Sequence, residues 1–306
     1  MLVFGATSLV GSHFVGEAAR GLTLAAAGRQ DPRKIGLAVD RFTPVDLAHA
    51  SALGTLVAES PEPLVVNFAA RTDVDGVEAE RAAGAASPAY VVNALAPEAM
   101  ARGARSAGKY LLSVSTDFVF DGTRGPSAEG DLPDPLSPRV SWYGWTKGEG
   151  ERRIRQEAPD AGVVRISYPF RPPGSAKPDF AQSLLDRYRS GTLPPLYTDQ
   201  QLTPSWVPDV TRAILRLLDV KGAGTFHVAS PSPTTPHEFA TELFRRVDGK
   251  PPELPTGTLS VRLTDPRSAP RPLRGGLRSE RLPSMGVPMT DWRRGLELWS
   301  EERARP

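Results

Sequence analysis

Leu2-Val3-Phe4-Gly5-Ala6-Thr7-Ser8-Leu9-Val10-Gly11 opens the chain and sets its architecture. Three apolar residues make a short strand. Gly5 permits a tight turn, and a helical periodicity starts at once, with Val10, Phe14, Val15 and Ala18 on one face of a helix predicted from Val10 to Arg20. A strand that turns directly into a helix leaves the first helical N–H groups pointing at the turn, where backbone holds the phosphates of a dinucleotide. Gly11 allows close helix–strand packing, while Ser8 stands where a glycine is more usual, so the backbone there must tolerate a small Cβ.

The same alternation continues outward. Apolar runs at Leu22–Ala27, Leu64–Asn67, Tyr110–Ser115 and Val163–Ile166 alternate with helical patterns at Ala48–Glu59, Val91–Ala107 and Trp142–Glu157. The strands are continuously apolar, as strands buried on both faces are. This predicts an α/β fold: a Rossmann-type parallel sheet with helices on both faces, plus a smaller loop-rich lobe. After Ser167 prolines cluster at 169–178, 194–208 and 251–272, with helical pieces at 179–190, 209–218 and 236–247. Gly224–Ala229 reads as a strand able to rejoin the sheet. The expected division is residues 1–168 with about 206–230 as an NAD(P)-binding domain, and 169–205 with 231–306 as a substrate lobe over the carboxyl ends of the strands.

Composition removes several function classes. The 306 residues carry 37 basic and 35 acidic side chains, so the net charge of +2 offers no nucleic-acid partner. There is no cysteine, hence no disulfide, thiolate metal site or cysteine nucleophile. The four histidines lack ligand spacing, so no metal is expected. No stretch approaches the roughly 18 to 20 apolar residues of a membrane helix, and no leader-like run precedes Leu2, so the expected location is cytoplasmic with no membrane partner.

Two further patterns carry chemistry. At the second apolar run the sequence is Ala26-Ala27-Gly28-Arg29-Gln30. NAD-binding turns place a carboxylate there for the ribose 2′-hydroxyl; here Arg29 is available for a 2′-phosphate, which favours NADP(H) over NAD(H), the alternative being an ordinary surface arginine. Tyr143 and Lys147 stand four apart on a predicted helix and so share a face. An ammonium beside a phenol is expected to lower its pKa and make it an acid–base catalyst. Upstream, Ser115 and Thr116 end a strand, and either hydroxyl could polarise a carbonyl in the cleft.

These stretches, with Val65-Val66-Asn67-Phe68-Ala69-Ala70-Arg71-Thr72-Asp73-Val74-Asp75, Ser115-Thr116-Asp117-Phe118-Val119-Phe120-Asp121-Gly122 and Tyr143-Gly144-Trp145-Thr146-Lys147, resemble the extended short-chain dehydrogenase/reductase superfamily. More narrowly, nearly the whole chain resembles the dTDP-4-dehydrorhamnose reductase family. The resemblance implies a catalytic set of Thr116, Tyr143 and Lys147 with Asp117 close by. Around the glycine turn the cofactor-binding set is Gly5, Thr7, Ser8, Leu9, Val10 and Gly11, joined by Arg29 and Asp46. Asn67, Ala69, Ala70, Arg71, Asn93, Ser115, Tyr143 and Lys147 complete it. Asp117, Phe118, Val119, Tyr168 and Arg271 are implied for substrate, Arg271 toward a phosphate. The implied activity is NADPH-dependent reduction of a nucleotide-activated 4-keto-6-deoxy sugar, with NAD(H) as second cofactor and a homodimer as a superfamily-level expectation. Three departures fall in the lobe: Ser167-Tyr168-Pro169 where Thr-Ser-Trp is usual, Leu202 for a glycine and Gly275 for a serine. They leave open an epimerase or dehydratase, and a non-catalytic NADP-binding regulatory subunit.

Overall fold

The computed structural model describes every residue except 135, 175–176, 251–252, 266 and 305–306. In chain order the first part runs β1 (Leu2–Phe4), α1 (Leu9–Ala18), β2 (Ala25–Gly28), β3 (Arg41–Pro44), α2 (Ala50–Glu59), β4 (Leu64–Asn67), α3 (Val74–Glu78), α4 (Pro88–Tyr90), α5 (Ala96–Ser106), β5 (Tyr110–Thr116), α6 (Trp142–Glu157) and β6 (Gly162–Ile166). The second part contributes α7 (Phe180–Arg189), β7 (Leu196–Tyr197), α8 (Val207–Val220), β8 (Gly224–Val228), α9 (Pro236–Asp248), β9 (Thr256–Gly257), α10 (Leu259–Arg262), α11 (Arg281–Ser284) and α12 (Trp292–Arg303).

Seven strands form one sheet in the order β3-β2-β1-β4-β5-β6-β8, every neighbouring pair parallel. The expected Rossmann-type sheet is therefore present. The strand order reverses between β1 and β4, and a ligand crevice opens at the carboxyl ends beside such a reversal. The unbroken apolar strands have a direct cause. Val3, Val66, Leu112 and Val164 face one cluster with Phe14 of α1 and Ile214 of α8. Their chain neighbours Leu2, Val65, Leu111 and Val163 face a second cluster with Leu53, Met100 and Ile154. Each such side chain contributes about 1.5–3 kcal/mol when buried.

A third cluster joins Phe170, Leu184, Trp206, Phe239, Trp292 and Trp299 beneath α7, α9 and α12. The chain does not divide cleanly between the clusters. Leu282 and Val287 return to the first cluster, whereas Trp206 packs in the third. Among the described residues no helix is long and apolar enough to cross a membrane.

The predicted helix 91–107 is interrupted. Residues Val91–Leu95 form a π-helical turn before α5 begins at Ala96-Pro97. A π turn re-aims the side chains within it and often marks a functional place; this one carries Asn93.

Candidate active site

The cofactor turn is shaped by contacts that exclude side chains. Gly5 has φ +70°, and a Cβ there would lie 2.6 Å from the Ala69 nitrogen; one on Gly11 would lie 2.3 Å from the Gly5 oxygen. Ser8 caps α1, its Oγ accepting from the Gly11 N–H at 3.1 Å. That explains a serine in a glycine-like place. A cavity of about 520 Å³ opens beside this turn, lined by Gly5, Thr7, Ser8, Arg29, Asp46 and Ala69-Ala70-Arg71. Asp46 Oδ1 accepts from the Ala48 N–H at 3.0 Å. Backbone donors at a helix start, a cradle that a Cβ would fill, and an exposed arginine at the end of β2 fit a phosphorylated dinucleotide.

Asn67 and Asn93 stand behind this cavity and not on its wall. Asn67 Oδ1 accepts from the Ala69 N–H at 3.0 Å, and its Nδ2 donates to Ser113 Oγ at 3.2 Å. Asn93 accepts from the Arg71 N–H at 2.9 Å and donates to the Arg71 carbonyl at 3.0 Å and to Thr146 Oγ1 at 3.1 Å. Together the two amides fix the 69–71 backbone and tie it to α6.

A second cavity of about 660 Å³ holds Leu9, Val10, Ser115, Thr116, Asp117, Phe118, Tyr143, Lys147 and Tyr168 on its wall. Ser141 caps α6 by accepting from the Gly144 N–H at 3.1 Å, which sets Tyr143 in the first turn and Lys147 one turn on. Lys147 is buried, and its Nζ donates to the Val114 carbonyl at 2.8 Å. Burial lowers its pKa to about 8, opposed by the charge of Glu151. Tyr143 goes the other way from the sequence-based expectation. Burial pushes the phenol up to about 12, with its hydrogen bond to Thr116 opposing and the charge of Asp117 adding. The ammonium is engaged by a carbonyl and burial dominates, so the phenol stays protonated, the state of a proton donor.

Thr116 caps the short turn after β5, accepting from the Phe118 N–H at 3.2 Å and donating to Asp117 Oδ1 at 3.3 Å. Asp117 is 2% exposed; its Oδ2 accepts from Ser167 Oγ at 2.7 Å and from the Gly276 N–H at 3.4 Å. Burial nevertheless raises it to about 6.

Behind the pair lies a group that the sequence reading missed. Glu151, one turn beyond Lys147, accepts from Ser115 Oγ at 2.6 Å and forms a two-point pair with Arg165 at 2.9 and 2.6 Å. Both side chains are 2% exposed. Burial pushes Glu151 up, but the charge and hydrogen bonds of Arg165 outweigh it and the net shift is downward. Its spacing from Lys147 was a visible signal; its partner on β6 was not. Arg165 also lies 3.3 Å from His227 Nε2, and burial first, then Arg165, lowers that imidazole to about 4, so it is neutral.

On the wall of the second cavity Tyr168 has φ +40°, a strained conformation for a residue with a side chain. Its hydroxyl accepts from Gln200 Nε2 at 2.9 Å and its ring meets Phe180 edge-on at 5.1 Å. Val119 does not line the cavity; it packs beneath with Phe120 and Leu277. Arg271 is also off the wall, bound to Asp75 Oδ2 at 2.7 Å, while Arg262 approaches Asp75 Oδ1 at 3.3 Å.

A parallel sheet with a phosphate-binding turn, and a buried Tyr-Lys helix pair facing a strand-end threonine, define the architecture of short-chain dehydrogenase/reductases. The chain belongs to the family described as RmlD substrate binding domain, which matches residues 1–304. It is 32% identical over 260 residues to a dTDP-4-dehydrorhamnose reductase of Streptomyces griseus, covering 82% of this chain and 81% of that one. It is 33% identical over 257 residues, 82% of each chain, to a probable dTDP-4,6-dihydroxy-2-methyloxan-3-one 4-ketoreductase of Streptomyces antibioticus. Among solved structures, a dTDP-4-dehydrorhamnose reductase from Clostridium acetobutylicum superposes with a TM-score of 0.80 at 25% identity, over 99% of both chains.

Proposed function

We propose that the protein is an NADPH-dependent oxidoreductase that reduces a nucleotide-activated 4-keto-6-deoxy sugar, as the dTDP-4-dehydrorhamnose reductases it resembles are named for doing. The observation that carries this reading is the meeting of a dinucleotide cradle with a buried Tyr143 that shares a cavity wall with Thr116 and Lys147. Bound across the two cavities, the cofactor would supply a hydride. Thr116 and Tyr143 would hold the substrate's carbonyl oxygen, and Tyr143 would give it a proton as negative charge develops there. Lys147, charged below about pH 8, stabilises the phenolate left behind. Asp117, held by Ser167 and Gly276, fixes the strand end that presents Thr116.

In this reading Gly5, Thr7, Ser8, Leu9, Val10, Arg29, Asp46 and Ala69-Ala70-Arg71 contact the cofactor, NADH being the second choice. Asn67, Asn93 and Ser115 hold backbone and side chains in place around it. Phe118, Tyr168 and Arg271 belong to the substrate side, in a lobe formed by 169–205 and 231–306. A homodimer and a cytoplasmic location complete the reading; sedimentation of the purified protein tests the first. The function itself is tested by following reduced-cofactor absorbance with dTDP-4-dehydro-6-deoxy-L-mannose. Turnover is expected, and Tyr143→Phe should lower kcat by about 10²- to 10⁴-fold. Wild-type protein that oxidises no NADPH with any 4-keto sugar nucleotide sinks the proposal.

A further inference from the structure

The two cavities share three wall residues: Ser8, Ala70 and Lys177. A dinucleotide reaching from Arg29 in the first cavity to Tyr143 in the second must cross at that place. The middle of a dinucleotide is its diphosphate, and Ser8 caps the helix whose N–H groups face the crossing. Backbone therefore covers one side. Lys177, in the segment between β6 and α7, lines both cavities and brings a positive charge that the glycine turn does not contain.

The segment that carries Lys177 is pinned to the cofactor helix. Arg171 is 4% exposed, and its Nη1 donates to the Leu9 carbonyl at 2.7 Å and to Ser12 Oγ at 2.8 Å, both in the first turn of α1. The Arg171 N–H donates to Asp179 Oδ2 at 2.9 Å, while Asp179 Oδ1 caps α7 through the Gln182 N–H at 2.8 Å. Residues 171 and 179 thus close a strap whose first end is bolted to the phosphate-binding helix. Of the other cations on the first cavity, Arg29 stands at the end of β2 and Arg71 follows β4, and neither lines the second cavity.

We propose that Lys177 clamps the cofactor's diphosphate from the substrate side, and that Arg171 is the positioning residue that holds its strap on α1. The proposal rests on the reading of a nicotinamide dinucleotide as cofactor. Its consequence is that the substrate lobe takes part in cofactor binding through a group common to NADPH and NADH. Arg29, by contrast, would touch only what differs between them.

Fluorescence titration with NADPH and with NADH, no sugar present, tests this. Lys177→Gln should weaken both cofactors alike, by about ten- to thirty-fold, the worth of a charge-assisted phosphate contact. Lys177→Arg should keep most of the affinity, and Arg29→Ala should weaken NADPH alone. The salt dependence of binding should be shallower in Lys177→Gln than in wild type. Arg171→Lys keeps the charge but gives up the two-point hold. It should cost about five-fold by itself and less than about twofold when added to Lys177→Gln, because contacts that act as one unit do not add. Lys177→Gln binding both cofactors within twofold of wild type overturns the clamp, as does Lys177→Arg as weak as Lys177→Gln. Full additivity of the two substitutions overturns the role of Arg171. Wild-type protein that binds neither cofactor is a different failure: it removes the cofactor reading and the clamp with it.

Discussion

On the core side of the cleft, Thr116, Asp117, Tyr143, Lys147, Glu151 and Arg165 are each less than a tenth exposed, on a strand end, a helix and the neighbouring strand. Their polar atoms meet one another or backbone: Lys147 on Val114, Ser115 and Arg165 on Glu151, Ser167 and Gly276 on Asp117. Across the cleft, Tyr168, Lys177 and Arg271 come from loops and are more open. Arg271 is held by one carboxylate, Asp75, itself largely in solvent, and by the Ala269 carbonyl at 3.2 Å. The contrast separates two demands. Proton transfer needs groups whose positions and pKa values are over-determined, whereas recognition of a particular sugar needs contacts that change at little cost to folding. The sequence fits this at Tyr168, a departure from the family pattern that lies on the second side, whereas the departures at Leu202 and Gly275 are buried.

If the contrast holds, substitutions on the two sides differ in kind. The largest expected effect is Glu151→Ala, which strands the buried Arg165 guanidinium and should cost about 3–5 kcal/mol of stability; denaturant unfolding reads this, and a loss below about 1 kcal/mol would break the comparison. Asp117 gives the next. Its folded pKa of about 6 exceeds the ordinary 3.8. The folded state therefore binds the proton more tightly, so stability is greatest below about pH 4 for this group and falls as pH rises to about 6. Asp117→Asn should escape a fall of up to about 3 kcal/mol across that window. Parallel pH–stability curves for the two proteins would refute the assignment. Lys147 loses its charge above about pH 8. The kcat/KM of the wild type should then decline through that pH, and a Lys147→Arg protein, however slow, should lack the decline. The smallest effect belongs to the open side: Arg271→Ala should change stability by about 1 kcal/mol, because the carboxylate it pairs with, Asp75, stays largely in solvent, while raising KM for the sugar nucleotide. A large stability loss there would erase the distinction between the two sides.

Much of the first side was legible because its signals are local. The strand–Gly5–helix turn, the Tyr143/Lys147 spacing on α6 and the strand-end Thr116 each lie within a few residues, and the parallel sheet follows from their order. What escaped depends on distant partners or weak local pattern. Arg41-Phe42-Thr43-Pro44 is an edge strand too polar and short to show as an apolar run. Trp292, Leu296 and Trp299 do have helical spacing, yet α12 was not read from them. Asn93 matched a motif, but its three bonds to Arg71 and Thr146 needed a π turn that no periodicity announces. The Glu151–Arg165 pair joins α6 to β6 across the sheet. The protonated state of Tyr143 followed from burial, which a motif does not contain.

The threading of the chain between its clusters bears on how such a protein could diversify. After β6 the chain enters the lobe cluster at Phe170, returns to the sheet with α8 and β8, leaves again for α9, comes back to the first cluster at Leu282 and Val287 and ends in the lobe with α12. Grafting the lobe of a relative would therefore require several matched joints instead of a single cut. On the proposed substrate roles of Tyr168 and Arg271, new substrates are more accessible by replacing side chains around them than by recombination, and the third cluster is expected to have been inherited together with the sheet.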